Sequence, residues 1–270
     1  MRIALEQIFK NLALFFIDRD FRSFIFLAFR IGGKKRYQEQ SIKINGIKMS
    51  IPDNLSFLWQ YHEIFVQKSY NFKPLCDSPI IFDCGANVGT SVIFFKKYFP
   101  KSVITAYEPD PSIFLYLKQN VAANKCDNVE LVNAAVWNEK TTLLFHSEGA
   151  DGGNITADKS SINQIEVQAL VLKDEIAKQE RVDLLKIDIE GAEYQVLEHC
   201  QSVLRKVENI FLECHSFSSD TQKIQDILAI LNKSGFRYFI LNESRRKQPF
   251  VNTSLEKPMD MQVNIFGYRI

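Results

Sequence analysis

The sequence predicts an α/β fold, a doubly wound and mostly parallel sheet, from three observations. Short apolar runs suited to buried strands recur and end in acids: 80–82 before Asp83, 103–107 before Glu108, 184–187 before Asp188, and 209–215, which closes on Glu213 and His215. Helical periodicity separates them, at 89–98 and 112–124. A turn of Gly85, Ala86, Asn87, Val88 and Gly89 joins the first of these strands to its helix, with glycines where the chain bends tightly or meets a ligand.

The elements follow in order. Residues 12–17 and 24–29 are strongly apolar but are split by DRDFR, so neither is long enough to span a membrane. Arg2 and Lys10 precede no small-residue cleavage site, so a signal peptide is not expected. A helical pair packed on the catalytic domain or on an oligomer partner is the leading expectation. The alternative is a peripheral membrane contact through residues 1–36, with the basic run 33–36 against anionic lipid. Residues 41–51 read as a β-hairpin turning at Asn45 and Gly46. The chain divides into an extension, 1–54, and a catalytic domain, 55–270.

Residues 55–70 read as an aromatic helix that is chiefly core, with His62, Glu63 and Tyr70 as candidates to face substrate. After the 112–124 helix come a strand at 129–136 and an extended run at 141–147. The Gly/Ser/Asn/Asp-rich segment 149–164 reads as a mobile substrate-recognition loop. Gly191 turns the chain into a helix carrying Tyr194 and Leu197. A helix at 219–234, ended by Gly235, precedes strands at 236–241 and 263–270. Arg245, Arg246 and Lys247 lie in the polar loop between those strands and read as a solvated turn.

Bulk properties are those of a globular enzyme: 270 residues, 46% hydrophobic and 24% charged. With 33 basic against 32 acidic residues there is no field to attract nucleic acid. Five cysteines without CxxC or zinc spacing read as small core residues of a reduced, cytoplasmic compartment, peripheral to the inner membrane face if the extension binds lipid.

Strand ends in such a sheet face its ligand. Glu108, closing the second strand of the nucleotide-binding half, suits the hydroxyl pair of a ribose. Lys186 is expected to be buried with a carboxylate partner, most simply Asp188 or Glu190. His215 or Asp188 is the candidate base, with Lys186, Glu190 and Glu213 orienting it or the substrate. Asp188, Glu190, Glu213 and His215 also offer ligands for a divalent metal, but metal-free catalysis ranks first.

The segments DCGANVGTS at 83–91, AYEPDP at 106–111, NAAV at 133–136 and LLKIDIEGAEYQVL at 184–197 resemble the FkbM family of S-adenosylmethionine-dependent methyltransferases. The resemblance covers about residues 60–270 in order. It implies a class I methyltransferase (Rossmann-like) fold with a terminal antiparallel strand, acting on a hydroxyl of a sugar-containing acceptor in a glycan, glycolipid or natural product. It further implies that Asp83, Gly85, Ala86, Asn87 and Gly89 hold the methionine end of S-adenosylmethionine, with Asp188 also binding the cofactor. Glu108 and Pro109 would take the ribose, and Asn133 and Ala134 the adenine. Two alternatives remain. An NAD-dependent oxidoreductase would show Gly-x-Gly-x-x-Gly where this chain has Asn87 in the middle position, and a non-catalytic scaffold would have lost the acids and His215.

Overall fold

The computed structural model describes residues 3, 5, 7, 11–147, 149, 153–155, 164–218, 221–242, 248, 250–251 and 259–270. The extension comprises α1 (Leu12–Ile17), α2 (Arg19–Ile31), β1 (Gln40–Ile44) and β2 (Ile47–Ile51). Then come α3 (Asn54–Tyr61), β3 (Ile80–Cys84), α4 (Thr90–Tyr98), β4 (Val103–Tyr107), α5 (Pro111–Ala123), β5 (Val129–Val132), β6 (Ala135–Trp137), β7 (Thr142–His146), β8 (Asn154–Ile155) and β9 (Gln164–Val171). The remainder is α6 (Leu172–Lys178), β10 (Val182–Ile187), α7 (Glu193–Cys200), β11 (Val207–Phe217), α8 (Ile224–Lys233), β12 (Arg237–Asn242) and β13 (Met259–Tyr268).

The central sheet runs β5-β4-β3-β10-β11-β13-β12, parallel throughout except for β13, which lies antiparallel between β11 and β12. The chain winds outward from β3 through β4 to β5, then returns to the other flank of β3 at β10. That reversal opens a crevice at the carboxyl ends of β3, β4 and β10, where an open α/β sheet takes its ligand. The order, with its one reversed strand, is the class I arrangement expected above.

Strand alternation divides the core. Ile81, Ile104, Leu184 and Phe211 face one apolar cluster, with α2, α3, α4 and α5; Phe82, Leu185, Ile187 and Leu212 face the other, with α6, α7 and α8. Burial on both sides explains why these strands read as unbroken apolar runs.

Two devices tie the extension to the domain. Asp18 caps α2 by accepting the Phe21 amide at 2.8 Å, and the helix buries Phe21, Phe24, Ile25 and Ile31 in the first cluster. Asp53 caps α3 through the Ser56 amide and also pairs with Arg36, which, against the effect of burial, holds its carboxyl far below the usual range. Phe16, Ile17, Phe26 and Phe29 remain exposed. Among the described residues no helix is long and apolar enough to cross a membrane. The hairpin forms as read, with Asn45 and Gly46 both at positive φ.

One strand differs from expectation. The run at 129–136 breaks at Asn133: β5 ends the central sheet, while β6 pairs with β9 in a separate four-stranded sheet, β6-β9-β7-β8. Asn133 leaves the ladder because its amide is engaged with the end of β4, as detailed below. The extended run at 141–147 becomes β7 of that second sheet and does not extend the first. Most of the segment 149–164, and Arg245, Arg246 and Lys247, lie outside the described residues.

Candidate active site

The glycine turn after β3 is fastened to the end of β4. The amides of Gly85 and Ala86 both donate to the Tyr107 carbonyl, at 3.0 and 2.9 Å. Gly85 has φ +83°, and a β-carbon there would lie 1.8 Å from the Asp188 carbonyl oxygen, so the turn after β10 crosses at a distance only glycine permits. Asn87, at φ +49°, completes the bend, and Gly89 opens α4.

Glu108 anchors this side. It is buried, and its carboxylate accepts the Asn87 amide on Oε2 and the Asp110 amide on Oε1, both at 2.9 Å. Burial pushes its pKa up to about 8, against the lowering effect of those two N–H groups. Exposed Asn133 donates its side-chain amide to the carbonyls of Glu108 and Pro109, at 2.8 and 3.1 Å, which fixes the tip of β4.

A cavity of about 250 Å³ opens over the turn. On the β4 side, Glu108 and Pro109 meet an apolar slot of Ile113, Ala134, Val136 and Phe145. On the β10 and β11 side the lining is charged: Lys186, Asp188, Glu190 and Glu213. From α3 and the turns after it come Trp59, Gln60, Glu63 and Tyr70. His62 does not line the cavity; its ring packs 4.6 Å from that of Phe24.

Lys186 is buried, with Nζ 3.3 Å from both Asp83 Oδ1 and Asp188 Oδ2, and it donates to the Gly85 carbonyl at 2.9 Å. Burial disfavours its charge, but Asp188 and Asp83 outweigh that and hold it protonated. Asp83 stands behind this pair, outside the cavity lining, and accepts Ser91 Oγ at 2.5 Å. The strand-end acid thus reaches the cavity through Lys186 and Ser91.

His215 lies beneath Glu190 and Glu213. Its Nδ1 is 3.0 Å from Glu193 Oε1, while Nε2 is 3.6 Å from Glu190 Oε2 and 3.8 Å from Glu213 Oε1. Burial opposes charge on the imidazole, yet Glu193, Glu190 and Asp188 raise its pKa. Burial, reinforced by the nearby Asp188, pushes Glu190 up to about 8 and Glu213 to about 7, with His215 working the other way on both. Gln262 on β13 donates to Glu213. Asp188, Glu213 and His215 each offer one ligand atom, all within 4.8 Å of one another.

Glu193 was not among the residues singled out from sequence. It accepts the Gly191 amide at 2.9 Å and the Ile189 amide at 3.3 Å while holding His215, so it shapes the turn and the imidazole together. Its position as the last acid of KIDIEGAE was the available signal.

These residues fit S-adenosylmethionine. A buried carboxylate beside an apolar slot suits a ribose next to a flat base. The Methyltransferase FkbM domain model matches residues 83–238. "Methyltransferase 1" of Beauveria bassiana is 29% identical over 51% of this chain and 64% of its own length, so that match spans less than two thirds of the relative. The "2-O-methyltransferase NoeI" of Sinorhizobium fredii is 26% identical over 50% of this chain and 63% of that protein. The "31-O-demethyl-FK506 methyltransferase FkbM" of Streptomyces tacrolimicus is 26% identical over 65% and 80%. Among solved structures, M. jannaschii TYW2 in complex with AdoMet covers 88% of this chain and 89% of that one, at 14% identity and a TM-score of 0.46. The strand order, not that likeness, carries the fold. With the domain model spanning more than half of the chain, the protein belongs to the FkbM family of S-adenosylmethionine-dependent methyltransferases.

Proposed function

We propose that the protein is an O-methyltransferase whose acceptor is a hydroxyl of a sugar or sugar-like molecule. The carrying observation is the acceptor side of the cleft. There, carboxylates of Asp188, Glu190 and Glu213 that can receive hydroxyl donors share a cavity with Trp59, a ring still 43% exposed and able to stack on a sugar face. The names of two relatives, a 2-O-methyltransferase and a 31-O-demethyl-FK506 methyltransferase, support oxygen as the acceptor atom.

S-adenosylmethionine supplies a methyl group already activated by its sulfonium. The chain has two tasks, alignment and removal of one proton. The β4 side holds one reactant through Glu108 and the slot; Lys186, bound to the Gly85 carbonyl, fixes the spacing between that side and the acids. As the acceptor oxygen forms its bond to the methyl carbon, the carbon–sulfur bond breaks with its electron pair left on sulfur. The hydroxyl proton passes to the acid cluster over His215. The sulfonium cation and one carboxylate become a neutral thioether and a neutral carboxyl beside a neutral methyl ether, so charge balances.

The test is transfer of label from methyl-labelled S-adenosylmethionine into an extract of cells lacking this protein, fractionated by class. Label in glycan or glycolipid, stable to mild base as an ether, is expected. Label confined to protein or nucleic acid would overturn the acceptor class.

A further inference from the structure

We propose that Asp188, Glu213 and His215 form a binding site for one divalent cation of the Mg²⁺ or Mn²⁺ class, at the acceptor side of the cleft. The inference rests on the methyltransferase reading of the same cleft, and it reverses the metal-free order that the sequence suggested.

Three features carry it. The first is the state of the imidazole. The His215 side chain is only 2% exposed, and its Nδ1 is bound to Glu193. Its Nε2 has no hydrogen bond among the described residues: the nearest carboxylate oxygens, at 3.6 and 3.8 Å, are too distant for one. A carboxylate on one ring nitrogen, with the other nitrogen bare and facing acids, is how proteins orient a metal-binding histidine.

The second is spacing. Ligands each about 2.1 Å from a common ion lie roughly 3 Å apart at right angles and about 4.2 Å apart across it. The contact of Nε2 with Glu213 falls inside that range, and the 4.8 Å limit on the whole triad exceeds it by a few tenths of an ångström. A hydrogen-bonded ion pair would instead have closed to about 2.8 Å.

The third is charge. Lys186 is matched by Asp83 on one flank and lies 3.3 Å from Oδ2 of Asp188, whose carboxylate has a second oxygen to offer a ligand. Asp188, Glu190, Glu193 and Glu213 then surround one imidazole, four acid groups to one base, a grouping that a divalent ion would stabilise. Two carboxylates with one imidazole form a largely hard donor set that leaves coordination positions open to an acceptor's oxygens. Such an ion lowers the pKa of a hydroxyl it meets, and Glu190, lining the cavity but outside the triad, is left to receive the proton.

The experiment is a titration of the chelator-treated full-length protein with Mn²⁺ in saturating S-adenosylhomocysteine, reading free Mn²⁺ by electron paramagnetic resonance. S-adenosylhomocysteine affinity is measured in the same samples. One bound Mn²⁺ per chain is expected, weakened at least roughly tenfold in Asp188→Asn and Glu213→Gln. Glu193→Gln, which touches no ion, is expected to weaken it roughly 10- to 100-fold as a positioning residue. Tight S-adenosylhomocysteine binding without Mn²⁺ binding up to millimolar concentration would overturn the site. So would Mn²⁺ binding that survives all three substitutions in variants that still bind S-adenosylhomocysteine. Loss of S-adenosylhomocysteine binding by the wild-type chain would instead break the methyltransferase reading on which the site rests.

Discussion

The two sides of the cleft are built from opposite materials. On the β4 side, Glu108 is held by backbone amides of Asn87 and Asp110 and bordered by apolar residues, so its geometry is set before any ligand arrives. On the β10 and β11 side, side chains meet side chains: Lys186 with Asp83 and Asp188, and His215 with Glu190, Glu193 and Glu213. Backbone-held acceptors suit a constant ligand bound the same way every time. A side-chain charge cluster can redistribute a proton, which the constant side has no need to do.

The largest expected effect comes from breaking the point where both sides meet. Gly85→Ala would drive a β-carbon to within 1.8 Å of the Asp188 carbonyl at a positive φ. Destabilisation on the order of 3 kcal/mol or more is expected in denaturant unfolding, with loss of both cofactor binding and turnover. Next is Glu213→Gln, which keeps the shape and the neighbouring Gln262 but removes a charge from the cluster. Turnover should fall roughly 100-fold.

The constant side can be sharpened by pH. The free Glu108 carboxyl is pushed up to about 8, so it is largely protonated at pH 7, whereas ribose hydroxyls donate best to the carboxylate. Affinity for S-adenosylhomocysteine should therefore rise about tenfold between pH 7 and 9, and the rise should vanish in Glu108→Gln. The smallest effect is expected from Asn133→Ala, which frees the tip of β4. About 1 kcal/mol, or roughly fivefold in cofactor affinity, should be lost with little change in turnover at saturation.

The same contrast explains what could be read from the sequence. Strands buried on both faces leave continuous apolar runs, and acids at their ends mark the crevice, so β3, β4, β10 and β11 and the residues Glu108, Lys186, Asp188 and Glu213 were legible. The burial of Lys186 between two carboxylates followed from the cost of an unpaired buried charge; that one partner is Asp83, across the sheet, depended on register. The break at Asn133 was hidden because 129–136 is mostly apolar and reads as one run despite Glu130 and Asn133, and only the hydrogen bonds to Glu108 and Pro109 reveal it. Glu193 was missed because its partners, His215 and the Gly191 amide, are assembled by a helix start and a distant strand. Phe145 and Gln262 join the cavity from elements whose sequence carries no cofactor signal.

The most direct test of the division between the two sides is calorimetric titration of S-adenosylhomocysteine into the wild-type chain, Glu108→Gln and Glu213→Gln at pH 8. Glu108→Gln should weaken binding by about 2 kcal/mol, roughly 30-fold, while Glu213→Gln stays within about threefold of wild type. Equal losses in the two variants would contradict the account, because the acid cluster would then belong to the cofactor site and not to the acceptor.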